Sequence, residues 1–451
     1  MTSYKSAAVT AGLGLAIVGG LWAGGVIGIR HPLTEDGTDG GPQQDQAEAK
    51  AEQAQKKLEA LGYISAVPIA PGEANRRGVT HHDASVPSDE LFIVNPTWER
   101  AAGGPVREAF LMRMDGTKEH VWKPAVPDSG DKGWGGARLD DEGFLHVVAD
   151  GALIKYDWDG VEVWRHDARH HHDLGFGIDG APVVVSEQMR EVPGVGGVDT
   201  LTIKDHGLTF FSREGEVIRT MWLFDVLGKE PRYAEVLAEI VKWKRERFGK
   251  EVEWDRPNDV FHLNSLDVLP RDVEGLGKRG DVLISPRRFN RIFVVDSEAG
   301  EVRWRWGEGE LDEQHDPTLS PDGRVVVFDN GKHRKYSRVL SVDPATGTIV
   351  REHRGLTPYY SSGRGSAQGL ADGGLFVVVS NEARMFRVGP EGEASTWEFV
   401  SGWVQNGARL PLRGVQLQGA ALERARSILA KQTPAPRAAQ PRAPAAVRIS
   451  G

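Results

Sequence analysis

The sequence predicts an all-β fold, a six-bladed β-propeller, and three observations predict it. Turn signals recur through the chain at Met114-Asp115-Gly116, Trp158-Asp159-Gly160, Arg213-Glu214-Gly215, Asp296 to Gly300, Asp343 to Gly347 and Gly389 to Gly392. An Asp-Gly or similar pair between two β-branched runs is a hairpin signal. All but one of these turns lead to a strand carrying a Trp (Trp122, Trp164, Trp222, Trp304, Trp397), and six units of this kind form a closed ring rather than a sandwich. The third observation is register. His172-Asp173 precedes Asp179-Gly180 at the spacing by which His315-Asp316 precedes Asp322-Gly323, with Gly135 and Gly365 at the matching places of two other units and Asn264 in the fourth. If an inner strand starts at each, His172 and His315 face the channel, and His262 shares the face of Asn264 because strand side chains alternate.

In chain order, Ser6 to Ile29 is an uncharged apolar run, long enough to cross roughly 30 Å of hydrocarbon. It continues unbroken past Ala23, which favours an uncleaved transmembrane anchor over a signal peptide. Gly20, Gly24 and Gly28 make one stripe along that helix and point to a weak homodimer through the membrane. Residues 30–90 read as a linker with a spacer helix over Gln44 to Leu61. The propeller is expected over 91–413, interrupted by an inserted helix at 225–250, where Tyr233, Val236, Leu237, Ile240 and Val241 recur at helical spacing. Residues 414–451 read as a helix over Leu417 to Ala430 and a Pro/Ala/Arg-rich tail from Thr433 that should be disordered.

A net charge of −9 over 451 residues argues against nucleic acid as a partner. The chain has no cysteine, which excludes disulfides, thiolate catalysis and iron–sulfur sites. No Gly-rich phosphate loop follows a strand, so no nucleotide cofactor is expected.

Candidate chemistry concentrates between Trp254 and Arg338. A neutral imidazole is a competent nucleophile, and an arginine fork suits two oxygens of an anion. His262-x-Asn264-Ser265, Ser285-x-Arg287, Gln314-His315 and Phe328-Asp329-Asn330-Gly331, with Gly365-Ser366-Ala367-Gln368 later, resemble the arylsulfate sulfotransferase family. That resemblance implies a six-bladed propeller outside the cytoplasm. It would transfer a sulfuryl group from a small aryl sulfate donor to a phenolic acceptor. It also implies that His315 takes the group covalently while His262 and Arg287 hold its oxygens. His172, the member of the His170-His171-His172 triplet placed by register, would protonate the departing phenolate or anchor an oxygen. Asn264, Asn330 and Arg338 are expected on the substrate side, and Trp134, Tyr359 and Tyr360 are candidates for stacking on an aryl ring. Two other readings stand beside this one. A propeller can be a non-catalytic binding platform, and His172, His262 and His315 could form a three-imidazole metal site of a hydrolase. No metal is expected there, because Arg287 would repel a cation.

Overall fold

The computed structural model describes residues 67–432, apart from 69–72, 74, 97–106, 125–133, 150, 250, 251, 255, 406 and 407. The expected anchor, spacer helix and C-terminal tail lie outside these residues. Among the described residues, no helix is long and apolar enough to cross a membrane.

Six antiparallel sheets form the ring. From the channel outward, the second blade consists of Gly136–Leu139, Leu145–Ala149, Ala152–Tyr156 and Glu162–Asp167. The third has His170–Phe176, Pro182–Pro193, Thr200–Phe211 and Val217–Trp222. The fourth has Leu263–Val268, Val282–Pro286, Ile292–Val295 and Val302–Trp306, and the fifth His315–Leu319, Val325–Asp329, Arg338–Val342 and Ile349–His353. In the sixth, Ser366–Gly369, Leu375–Val379, Arg384–Val388 and Ser395–Val400 are followed on the outside by Gly78–His82. The first blade is closed by the other end of the chain: Leu412–Gln416 is its innermost strand, inside Leu91–Pro96, Ala109–Arg113 and Lys118–Trp122. The propeller therefore begins before residue 91 and continues past residue 413, because both ends of the domain are needed to complete sheets.

The recurrence of Trp164, Trp304 and Trp397 at one place in their blades has a physical cause. The third residue of the fourth strand out from the channel in every blade donates to, or pairs with, the hairpin turn of the next blade. Trp164 Nε1 donates to Arg213 O at 3.1 Å, Trp304 Nε1 to Pro344 O at 3.1 Å and Trp397 Nε1 to Met114 O at 2.7 Å. Where the position is not Trp, another long side chain does the same: His120 Nε2 lies 2.6 Å from Trp158 O, Arg219 Nη2 donates to Glu298 Oε1 at 3.3 Å, and Arg351 Nη2 donates to Gly389 O at 2.7 Å. An indole fits because it fills the wedge between blades with apolar surface and still has one donor for the turn carbonyl. Trp397 is fully buried and stacks on Phe92 of the first blade, with ring centroids 4.9 Å apart. Such burial contributes about 1.5–3 kcal/mol per side chain.

The insertion is two helices rather than one. Helix α1 spans Leu223–Leu227 and helix α2 spans Pro231–Phe248. Gly228 ends the first, and Pro231 restarts the second at a position that needs no backbone donor. Tyr233, Val236, Leu237 and Val241 of α2 pack into the core shared with Phe261 and Phe289, and the Tyr233 and Phe261 ring centroids are 5.7 Å apart. The helix thus stands behind the two segments that carry His262 and Arg287. Helix α3, Gly419–Lys431, follows the closing strand; its Ala425 is buried among residues of the first two blades, and Arg424 Nε donates to Glu142 O at 2.8 Å.

Candidate active site

The inner strands of the third, fourth and fifth blades each break register near their start, between His170 and Leu174, Leu263 and Leu266, and His315 and Thr318. Left-handed backbone accompanies the breaks at His172 (φ 63°), His262 (φ 48°), Glu313 (φ 54°) and Asp316 (φ 48°). His172 and His315 match in spacing, but the left-handed residue is His172 itself in one blade and Asp316 in the other. His262 precedes its strand, so strand alternation does not aim it. The Asp259 carboxylate does, accepting from the His262 backbone N–H at 3.0 Å and lying 2.5 Å from its Nδ1.

That contact fixes the imidazole, whose Nε2 is 3.3 Å from Arg287 Nη1. Arg287 sits in a 3-10 turn, Arg287–Phe289, directly after the second strand of the fourth blade; it is buried, while Arg288 is exposed. Its Nη2 pairs with the Glu313 carboxylate, which Lys332 Nζ also contacts at 3.1 Å. Its Nε is buried with no partner. Glu313 joins the two halves of the site, since its backbone carbonyl is 3.2 Å from His315 Nδ1.

His315 Nδ1 lies 2.7 Å from Asn330 Oδ1, and Asn330 is itself held because its Nδ2 donates to Ser361 O and Arg364 O at 2.8 and 2.7 Å. The amide oxygen can only accept, so Nδ1 carries the proton and the lone pair is on Nε2. That lone pair accepts from the Arg364 backbone N–H at 3.0 Å. His172 closes the group, its ring centroid 5.3 Å from that of His262.

Burial, and after it the Arg287 charge, holds the His315 imidazole well below its usual range; burial and then His171 and His262 do the same to His172. Both are neutral at pH 7. Burial would raise the Asp259 carboxyl, but His262, His206 and Arg288 outweigh it and hold it well below the carboxylate range. Glu313 is likewise lowered, because Arg287 and Lys332 outweigh burial.

The structure thus brings His172, His262, Arg287, His315 and Asn330 together. Asn264 lies beside the site but bridges blades, its Nδ2 donating to Gln314 O at 2.8 Å. Arg338 is directed elsewhere: its Nε donates to Asp329 Oδ2 and its Nη2 to Glu310 O, each at 2.8 Å, and its Nη1 pairs with Glu352 at 3.4 Å. Trp134 and Tyr359 are fully buried core, whereas Tyr360 is half-buried and within electrostatic range of Glu313 and Arg287. Sequence reasoning missed the roles of Glu313 and Lys332. Glu313 stands two residues before His315, and its left-handed backbone is what turns its carboxylate to Arg287 while its carbonyl meets His315. The arrangement gives a neutral nucleophile of fixed tautomer beside an arginine with an unspent donor. It does not suit a metal, because His262 and His315 have both nitrogens engaged and Arg287 lies between them.

Residues 138–402, more than half of the chain, match the family model described as Arylsulfotransferase (ASST). No curated protein matches the chain. Among solved structures, a protein of unknown function from Bacteroides caccae is similar at 11% identity and TM-score 0.45, over 72% of this chain and 98% of that one. Virginiamycin B lyase from Staphylococcus aureus is similar at 10% identity and TM-score 0.39, over 72% and 88%. Apo AztD from Citrobacter koseri is similar at 11% and 0.37, over 73% and 98%.

Proposed function

The chain belongs to the arylsulfotransferase family, and from that premise we propose that it moves a sulfuryl group from an aryl sulfate to a phenol in two half-reactions through His315. In the first, the Nε2 lone pair attacks sulfur, the sulfur–oxygen bond to the aryl group breaks, and the electron pair leaves on the phenolate, which takes a proton from solvent. In the second, an acceptor phenol loses its proton and attacks the same sulfur, and the imidazole leaves neutral. Asn330 keeps the proton on Nδ1, so the reactive nitrogen is always Nε2. The three sulfuryl oxygens gather charge in a loose transition state, and Arg287, whose guanidinium His262 Nε2 steadies at 3.3 Å, is the donor that meets them.

One observation carries this reading: the Arg287 Nε–H is buried and unpartnered beside a neutral imidazole. A donor left so costs about 1–3 kcal/mol, and an anion in the site relieves it. The donor must also displace the Arg364 N–H from His315 Nε2, at about 1 kcal/mol. Tyr360 is the aromatic placed to contact the aryl ring.

The test is intact-mass spectrometry after incubation with a chromogenic aryl sulfate and no acceptor. The protein should gain one sulfuryl group and lose it when phenol is added, and His315→Asn should show neither the adduct nor turnover. An adduct that persists in His315→Asn would move the nucleophile elsewhere, and no adduct on the unaltered protein would overturn the two-step route.

A further inference from the structure

Behind the transfer site, the third blade holds a second set of ligand-type side chains that sulfuryl transfer does not use. His171 lies on the inner strand, Glu187 on the second and His206 on the third. Glu187 and His206 are directly paired across those two strands, so their side chains rise from one face. The register break after His170 and the left-handed His172 turn His171 toward the same place. His171 Nε2 lies 3.9 Å and His206 Nε2 4.0 Å from Glu187 Oε2, and the three ligand atoms are all within 4.8 Å of one another.

These separations are too long for hydrogen bonds. They are slightly wider than the ~3.4 Å edge of a tetrahedron with zinc-length bonds, so small side-chain shifts would close the set around an ion. His171 Nε2, one of the ligand atoms, is buried with no partner, and the His206 side chain is only 2% exposed. Two histidine nitrogens and a carboxylate oxygen, carried by three neighbouring strands of one sheet, are a donor set for a borderline metal ion rather than for calcium or magnesium.

We propose that His171, Glu187 and His206 bind a divalent transition-metal ion of the zinc class. Asp259 Oδ1 lies 3.9 Å from His206 Nε2, outside that set of three. Both Asp259 oxygens hold His262, so an ion that fixed His206 would act next to the carboxylate that orients a residue of the transfer site. The competitor is also present: Lys204 Nζ lies 3.2 Å from Glu187 Oε2, and Arg169 Nη1 lies 3.5 Å from Oε1. The ion must displace the Lys204 ammonium, whose side chain is 35% exposed and can turn to water.

Zinc ion titrated into the full chain after chelator treatment, followed by calorimetry, tests this. One equivalent should bind, and excess magnesium should not compete. Lys204→Met should tighten binding by about tenfold or more, which is about 1.4 kcal/mol, because the competing charge is gone. Glu187→Gln and His206→Gln should abolish it, with circular dichroism checking that each variant folds. Binding that survives in Glu187→Gln and His206→Gln would assign the metal to other histidines and overturn the site. No stoichiometric binding in either the unaltered protein or Lys204→Met would overturn it outright.

Discussion

The inner strands of the second and sixth blades and those of the third, fourth and fifth come from the same repeat and are built differently. In the second and sixth, the pairing runs unbroken from Gly136 to Leu139 and from Ser366 to Gly369. The residues at the head of these strands are glycines. A Cβ on Gly136 would lie 3.2 Å from His172 O, and one on Gly365 only 2.5 Å from the Phe328 ring. In the other three blades the register breaks, and left-handed backbone falls on His172, His262, Glu313 and Asp316, where glycine would have been easier; in the sixth blade it falls on Arg364, just before Gly365. Each such residue costs about 1–3 kcal/mol. The ring thus has a plain half, which is tightly packed, and a reacting half, where strain is retained to hold polar side chains in place.

The reacting half should fail in rate. Arg287→Lys keeps the charge but loses the planar fork, and should lower turnover by about 10²–10³ while the donor-only adduct on His315 still forms. Burst and steady-state phenol release separate the two, and an unchanged rate would remove Arg287 from the oxygen-binding role. The plain half should fail in stability. Gly365→Val meets the Phe328 ring at a φ of +92° and should cost about 2–4 kcal/mol. Gly135→Ala, whose Cβ would meet nothing closer than 3.5 Å at an ordinary φ, should cost less than about 1 kcal/mol. Urea midpoints give both, and equal losses would erase the distinction drawn from close packing.

The smallest effect sits where the halves meet. Burial and the Asp173 charge, opposed by Arg138 and Arg413, push the Asp316 carboxyl up to about 7, with Asp267 also adding to the rise. A carboxyl raised above its unfolded value contributes stability that is full below the unfolded pKa and lost as pH rises through the folded one. Through Asp316, melting temperature should therefore fall from roughly pH 4 to pH 7 and level off above, and Asp316→Asn should remove that contribution. The buried histidines act with the opposite sign over an overlapping window, since their lowered values remove stability as pH falls below the unfolded imidazole range. A slope unchanged in Asp316→Asn would assign the titration to another group.

The sequence foretold the ring because its signals are local: hairpin turns and the Trp that reaches the next turn are a few residues apart. It foretold His172, His262, Arg287 and His315 as one group through shared register and motif. What it did not yield depends on backbone conformation and long-range pairing. Whether Arg338 turns to the substrate or to Asp329 and Glu352 is decided by partners on other strands. The reach of Glu313 to both Arg287 and His315 follows from one left-handed residue, which nothing in the local composition announces. Alternation put His262 in the right place for the wrong reason, because a capping carboxylate rather than a strand aims it.

The closing strand has a consequence for how the molecule comes into being. Leu412–Gln416 is the innermost strand of the first blade, yet it is nearly the last part of the domain to be made. The first blade is therefore finished last. Until that strand arrives, Leu91–Pro96 presents an unpaired edge toward the axis, and the contacts that close the ring span almost the whole domain. Such closure is slow, and the open edge is where a growing chain would pair wrongly. The last blade carries a seam of its own, where Gly78–His82 lies against Ser395–Val400. A nascent chain must hold both seams apart until its own end appears, so a chain cut before Leu412 would remain an open arc.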